Sequence, residues 1–411
     1  MAESRRVYLD HAATTPVHPE VVRVMDHYML EAFGNPSSIH SFGREARKGM
    51  EEAREQVAAL MGATPNEIFF TSGGTEADNL AVQGVARGRR EVGDHIITSA
   101  VEHHAILHTC EYLEKEGFKV TYLPVDRFGR VDPDDVRKAL TPRTILVTIM
   151  AANNEVGTIQ PSAEIGRVVK ANSQAYYHID AVQTYGNWPV NVDDLHVDLM
   201  TVSSHKIYGP KGVGALYIRK GVKIVPLLFG GSHERKRRAG TEGVPGIVGF
   251  GKAAEIARET LDQRIAHNRA LRDRLIAGLL EKIDYLTLNG HPTERLPNNV
   301  NVSVEFVEGE SMLLNLDLKG IAASSGSACT SGSLEPSHVL LAMGVPPEVA
   351  HGSLRMTVGT DNTMDDIEYV IETLPEIVRR LRAMSPLYAD KIKGRAAAPL
   401  TPAGEEHPHD V

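Results

Sequence analysis

The chain has 411 residues, enough for two or three domains or one large two-layered unit. Hydrophobic residues make up 42% and charged residues 24%, which excludes disorder as a description of the whole. Lys and Arg number 44 against 53 Asp and Glu, a net charge of −9, and this balance argues against duplex nucleic acid as a partner, because that footprint needs a dominant basic face.

Two cysteines, Cys110 and Cys329, can build neither a disulfide scaffold nor a four-thiolate zinc site, and reduced thiols in a cytoplasm are expected. Met1 to Tyr8 is polar and basic, without the apolar core of a signal peptide. The longest apolar stretch, around Ile145 to Ala152, falls far short of the ~18–20 residues of a membrane span. The expectation is a cytoplasmic protein with no membrane partner.

In chain order, strand-like runs are predicted at Glu67–Thr71, His95–Ser99, Lys119–Leu123, Thr144–Met150, Tyr176–Asp180, Leu199–Ser203 and Gly214–Ile218. Helical patterns lie between several of them, at Arg44–Leu60, Ala105–Lys115, Pro133–Ala139 and Ala163–Ala171. This alternation predicts an α/β fold whose mostly parallel sheet is covered by helices, with ligands at the carboxyl ends of its strands. From Lys252 to Ile283 the apolar residues step by four to six, which fits one long helix or two in series. Asn298 to Phe306 alternates as a half-buried strand, and a last helical stretch runs from Met364 to Met384. A second, smaller α+β domain is expected from Arg264 onward, and the Pro/Ala-rich acidic tail is expected to be disordered.

The strongest chemical feature is Ser203-Ser204-His205-Lys206, directly after a predicted strand. A lysine there stands where such a fold keeps its ligand, and a partly buried amine can form a Schiff base with a carbonyl. Asp180 ends another strand, with Gln183 three residues on; a carboxylate in that place can keep a pyridinium nitrogen protonated. Thr71-Ser72-Gly73-Gly74-Thr75-Glu76 opens a helix after a third strand and offers N–H groups and hydroxyls to a phosphate. Lysine, carboxylate and phosphate cup at three strand ends together point to pyridoxal 5′-phosphate.

Two other motifs weigh less. Gly246-Ile247-Val248-Gly249-Phe250-Gly251-Lys252 resembles a nucleotide phosphate loop, but Ala253 replaces the Mg²⁺-binding hydroxyl and no strand precedes it; tight packing at a helix start is the better reading. His103, His104 and His108 have the spacing of metal ligands without an obvious further one, so no metal is expected; His103 faces the ligand and the others are helix residues. The run Arg235-Lys236-Arg237-Arg238 reads as a solvated loop.

Cys329 lies in Ser324-Ser325-Gly326-Ser327-Ala328-Cys329-Thr330-Ser331-Gly332-Ser333, a composition of loops, which suggests a thiol nucleophile delivered on a mobile tether. Cys110, within a helical run, reads as core. Arg355, in a strand-like stretch, could fork onto a carboxylate or form a structural ion pair.

The chain resembles the NifS/IscS-type cysteine desulfurases, class V aminotransferase relatives with the fold type I architecture of pyridoxal-phosphate enzymes. The markers are Tyr8-Leu9-Asp10 with Ala13-Thr14-Thr15-Pro16, Gly34-Asn35-Pro36-Ser37-Ser38, Thr71 to Glu76, Asn153-Asn154-Glu155, Ser203 to Lys206 and Ser327-Ala328-Cys329-Thr330-Ser331. They span about Val7 to Tyr388, and the stretch around Cys329 resembles the long-loop subgroup. The resemblance implies a large domain over residues 16–263, a small domain from 1–15 and 264–388 that carries the mobile Cys329 loop, and a tail at 389–411. It implies removal of sulfur from L-cysteine to give L-alanine and a persulfide on Cys329. Lys206 would be the Schiff-base lysine and proton shuttle, Asp180 the partner of the ring nitrogen, Gln183 of the ring hydroxyl, and His103 would stack on the ring. Gly74, Thr75, Ser203 and His205 would bind the phosphate, joined by Thr241 from the other subunit of a homodimer. Asn154 and Arg355 would grip the substrate carboxylate. The persulfide would pass to an IscU- or NifU-like scaffold for Fe–S cluster assembly, with Cys329 transiently ligating a cluster, or to another acceptor such as tRNA thiolation. A selenocysteine lyase or a class V aminotransferase is the alternative.

Overall fold

The computed structural model describes residues 5–325 and 335–394, so Cys329 and the tail beyond residue 394 lie outside the described residues. The first strand, β1 (Val7–Tyr8), joins the C-terminal half of the fold. The main sheet takes the next seven: β2 (Ile68–Thr71), β3 (His95–Ser99), β4 (Lys119–Leu123), β5 (Thr144–Thr148), β6 (Tyr176–Asp180), β7 (Leu199–Ser203) and β8 (Gly214–Ile218). Their order is β2-β8-β7-β6-β5-β3-β4, and only β8 runs against the rest. β2, β3, β5, β7 and β8 are buried at every position, because helices cover both faces; that is why they read as continuous apolar runs.

The flanking helices are α1 (Pro19–Leu30), α2 (Ser41–Leu60), α3 (Gly74–Gly88), α4 (His104–Lys115), α5 (Pro133–Ala139), α6 (Ser162–Asn172) and α7 (Val244–Lys282). Alternate strand residues divide between the two faces. Phe70, Val147, Ile179 and Val202 pack with Val57 of α2, Ile165 of α6 and Phe250 of α7. Phe69, Ile96, Leu146 and Leu216 pack with Leu80 of α3 and Ile106 and Cys110 of α4, so Cys110 is a core residue.

The stretch expected as one helix or two is a single helix, and it starts earlier than its apolar pattern does. Its 39 residues give a rod of about 58 Å at 1.5 Å per residue. Beyond Gly251 the sequence is rich in good helix formers and contains no proline before the helix ends. The glycines that mimic a phosphate loop serve packing: a Cβ on Gly251 would lie 2.5 Å from Ala53 Cα, where α7 crosses α2. Ala253, Ala254 and Ala257 of α7 belong to the first core, whereas Leu271, Leu275 and Leu279 belong to another.

That other core gathers β9 (Leu286–Leu288), β10 (Asn299–Val304), α8 (Gly309–Asp317), β11 (Ile321–Ala322), β12 (Ser353–Thr357) and α11 (Met364–Ala383), with α9 (His338–Ala342) and α10 (Pro347–Ala350) preceding β12. β10 lies between β12 and β9, antiparallel to both, and β1 runs parallel to β11 through Val7↔Ile321. β10 is not half-buried as its alternation predicts; all six residues are buried. Its polar residues face other polar groups: Asn299 and Asn301 Nδ2 each donate to the Glu155 carbonyl at 3.0 Å, and Ser303 Oγ accepts from Asn289. The first residues of the tail expected at 389–411 are helical, since α12 (Pro386–Ile392) runs across residue 389. Among the described residues no helix is long and apolar enough to cross a membrane.

Candidate active site

The carboxyl ends of the strands converge on a cavity of about 260 Å³. Asp180 is the last residue of β6, and Ser203 the last of β7. A 3₁₀ turn, Ser204–Lys206, follows β7 and puts His205 and Lys206 on the cavity wall. Gly74 and Thr75 open α3, and His103 caps the N-terminus of α4. Gln183 and Asn154 come from the turns after β6 and β5, and Arg355 reaches in from β12. All ten of these expected site residues line the one cavity. Thr241 does not: it is exposed on the segment before α7. Cys329 lies outside the described residues.

Lys206 Nζ donates to the carbonyls of Ala12 and Ala13, at 2.5 and 2.7 Å, and Gln183 Nε2 donates to the same Ala12 carbonyl at 3.1 Å. The turn after β1 therefore forms part of the cavity. Arg355 Nη2 donates to Asp10 Oδ1 at 3.0 Å and Nη1 to the Asn154 carbonyl at 3.1 Å, while its buried Nε has no partner among the described residues. The fork is thus anchored on one edge. It forms the structural ion pair that one sequence reading expects, and it also lines the cavity.

Burial decides the electrostatics. The Asp180 carboxyl is raised to about 6 by burial, against the lowering effects of the Val182 N–H and of the Lys206 charge. Asp78, on α3 in the same wall, is pushed well up by burial and then by Asp180 itself. Asp180 keeps the N–H donor and faces the lysine, so Asp78 takes the proton of the pair. His178 stands 3.8 Å from Asp78 but is brought down to about 3 by burial, so that contact joins neutral groups. His103 is lowered to about 4, first by burial and then by Lys206. Its Nδ1 accepts the Ala105 N–H at 3.1 Å, which puts the proton of the neutral ring on Nε2. His205 is likewise lowered to about 4 by burial and the Lys206 charge.

These residues fit pyridoxal 5′-phosphate. Ser203 Oγ is buried without a partner among the described residues, beside the start of α3, whose first N–H groups precede its ladder. Gly74 is needed there, because a Cβ would sit 2.9 Å from Val182 Cγ2 and fill the cradle. The buried Asp180 carboxylate stands at a strand end where it can face a pyridinium nitrogen, and Lys206 offers the amine.

Sequence reasoning missed several residues of this wall. The Ala12 and Ala13 carbonyls act through backbone, which leaves no side-chain signature. Asp78 reads as one more polar helix residue. Glu102 is buried under the floor, raised to about 8 by burial, with Ser99 Oγ and the Met150 N–H donating to it. Glu155, singled out only as a marker, is raised to about 7 by burial and accepts from Ser337 Oγ. His104 and His108 stack at 4.9 Å between ring centroids, and His338 lies 4.7 Å from His104. The basic run 235–238 is no plain solvated loop, since Arg238 pairs with Glu76 in the first turn of α3.

A model of the class-V aminotransferases matches residues 7–370. A cysteine desulfurase IscS of Methanosarcina thermophila is 59% identical over 385 residues, 94% of this chain and 95% of that protein. Among solved structures, a NifS-like protein superposes with a TM-score of 0.87 at 42% identity, covering 92% of this chain and 100% of the other. SspA in complex with cysteine superposes with a TM-score of 0.77 at 35% identity over 87% of this chain and 100% of that one.

Proposed function

From the premise that the chain belongs to the class-V aminotransferase family and is a pyridoxal-phosphate-dependent cysteine desulfurase, we propose how its own residues divide that work. The cofactor, when bound, supplies an electron sink that acidifies Cα of L-cysteine and weakens its Cβ–S bond. Gly74, Thr75, Ser203 and His205 bind its phosphate, joined by Thr241 of a second subunit in a homodimer. Asp180 holds the ring nitrogen protonated, Gln183 bonds the ring hydroxyl and His103 stacks on the ring. Arg355 and Asn154 orient the substrate carboxylate. Lys206 Nζ takes the Cα proton and returns it.

Cys329 as thiolate attacks the substrate sulfur: a new S–S bond forms, the Cβ–S bond breaks, and proton return yields L-alanine. The sulfur stays on Cys329 as a persulfide, and an IscU- or NifU-like scaffold in the cytoplasm accepts it for Fe–S cluster assembly. The two cores bridged by α7 correspond to a large domain at 16–263 and a small one at 1–15 with 264–388. The observation that carries this assignment of roles is the single cavity shared by Lys206, Asp180, His103, Asn154 and Arg355.

The deciding experiment measures alanine and sulfide from L-cysteine under reductant, for wild type and Cys329→Ala, while the absorbance of the bound cofactor is followed. Equal yields of both products from wild type, and neither from a variant that keeps its cofactor band, support the assignment. A variant as active as wild type means a lyase mechanism, and activity on selenocysteine alone means a selenocysteine lyase. A loaded wild type inert to cysteine would turn the reading to amino-group transfer.

A further inference from the structure

Behind the lysine turn lies a second cavity, of about 290 Å³, between α7, the residues after Lys206 and the loop that carries Thr360. Ile207, Ala253 and Ile256 make its walls apolar, and Tyr208 closes one side. Arg264 projects into it from α7. That guanidinium is buried, yet among the described residues no carboxylate lies within ion-pairing distance of it. Its contacts are neutral: Nη2 donates to Asn187 Oδ1 at 3.2 Å, and Cζ lies 5.1 Å from the Tyr208 ring centroid. Its Nε is buried without a hydrogen-bond partner.

A buried cation without an anion is costly in lost hydration unless something else supplies the charge. The surroundings are also held out of their easiest conformation. Tyr208 has φ +67, the left-handed region disfavoured for a bulky residue, and is pinned by Thr15 Oγ1 accepting its N–H and by its own hydroxyl accepting the Thr360 N–H. Asn187 connects this place to the active site, since its Nδ2 donates to the Lys206 carbonyl at 3.3 Å while its Oδ1 holds Arg264.

We propose that this cavity is a second ligand site, which takes a small aliphatic monocarboxylate with its carboxylate on Arg264 and its chain against Ile207 and Ile256. One guanidinium matches one negative charge, and the apolar walls match a short hydrocarbon rather than a phosphate, which would need further donors and a second cation. The ligand competes with Asn187 Oδ1 for the guanidinium and so reaches the Lys206 backbone.

The test follows the melting temperature of the holoenzyme as isovalerate, isovaleramide or inorganic phosphate is added, in wild type, Arg264→Gln and Gln263→Trp. Gln263 is an exposed helix residue at the cavity mouth, so an indole there blocks entry without touching the core. The expected result is a saturable upward shift with isovalerate only, lost in both variants. Should Arg264→Gln fail to fold, Gln263→Trp decides alone. An equal shift from phosphate or the amide, no shift in wild type, or an undiminished shift in a folded variant would overturn the site.

Discussion

Three consecutive residues, Glu234, Arg235 and Lys236, have φ of +41, +50 and +66, and each such non-glycine conformation costs roughly 1–3 kcal/mol. What offsets this is the Glu234 carboxylate, which accepts from Arg54 Nη1 and Nη2 at 2.8 and 2.7 Å and from the Phe70 N–H at 2.8 Å. The two side chains are only 4% and 3% exposed, so the pair is shielded from water and salt. Arg54→Met removes one partner and leaves a buried carboxylate, a loss of about 3–5 kcal/mol. That is comparable to the strain the pair restrains, so the segment around 234–238 should open before its domain unfolds. Converted at 1.4 kcal/mol per decade, the open population rises by roughly two to three and a half orders of magnitude. Limited digestion with trypsin reads this directly, because Arg235, Lys236, Arg237 and Arg238 are its sites and cleavage tracks the open fraction. Cleavage there should quicken by about that factor while the urea midpoint of global unfolding moves less. Arg54→Met with Glu234→Gln should recover part of the loss, since no buried charge is then left alone. Unchanged cleavage in Arg54→Met, or loss of the whole domain without a prior cut at 235–238, would refute the reasoning.

Asp10→Asn removes the charge that anchors Arg355 at 3.0 Å, a charge-assisted bond worth about 1.5–3 kcal/mol. The Asn154 carbonyl still holds the other nitrogen, so steady-state kinetics should show KM for L-cysteine rising about tenfold with a smaller change in kcat. A KM like that of wild type would remove Asp10 from substrate binding. For Glu102, the folded pKa of about 8 lies above its ordinary 4.5, so the folded state binds its proton more tightly. That contribution is complete below the ordinary value and is lost as pH rises through about 8; Glu155, raised to about 7, acts in the same sense. Glu102→Gln does not titrate, so its melting temperature relative to wild type should climb between about pH 5 and pH 9. A pH-independent difference would mean that Glu102 is not buried as a neutral acid.

Much of the sheet is legible in the sequence because burial on both faces turns β3, β5 and β7 into short apolar runs. The chemistry at their ends is legible for a related reason: Asp180, Ser203 and Lys206 break those runs abruptly with groups that burial would otherwise exclude. Where this logic fails, the cause is visible. β10 alternates like a strand with one wet face, yet its polar side meets the Glu155 carbonyl and Asn289 instead of water. α1 carries Val21, Val24, Met25 and Tyr28 at helical spacing, but only Val21 is fully buried and the others lie partly covered at the rim of the core, so the stripe is short and weak. The anchors of Lys206 are carbonyls of two alanines, and Asp78 hides in α3 as an ordinary acid. The Arg235–Arg238 run looks solvated because nothing in it reveals that Glu234 is buried against Arg54, 180 residues earlier.

The pairing of β1 with β11 bears on how the protein comes into being. Val7 has no strand partner until Ile321 exists, and the Asp10 that anchors Arg355 waits until residue 355. At ~5–20 residues per second of synthesis, the first strand remains without its partner for roughly 15–60 s. The main sheet, whose strands all lie between Ile68 and Ile218, can be complete well before then. Lys206 is therefore made and placed early, while the cavity wall that carries Arg355 closes last. A chain released short of residue 321 would hold a finished sheet and an unfinished site.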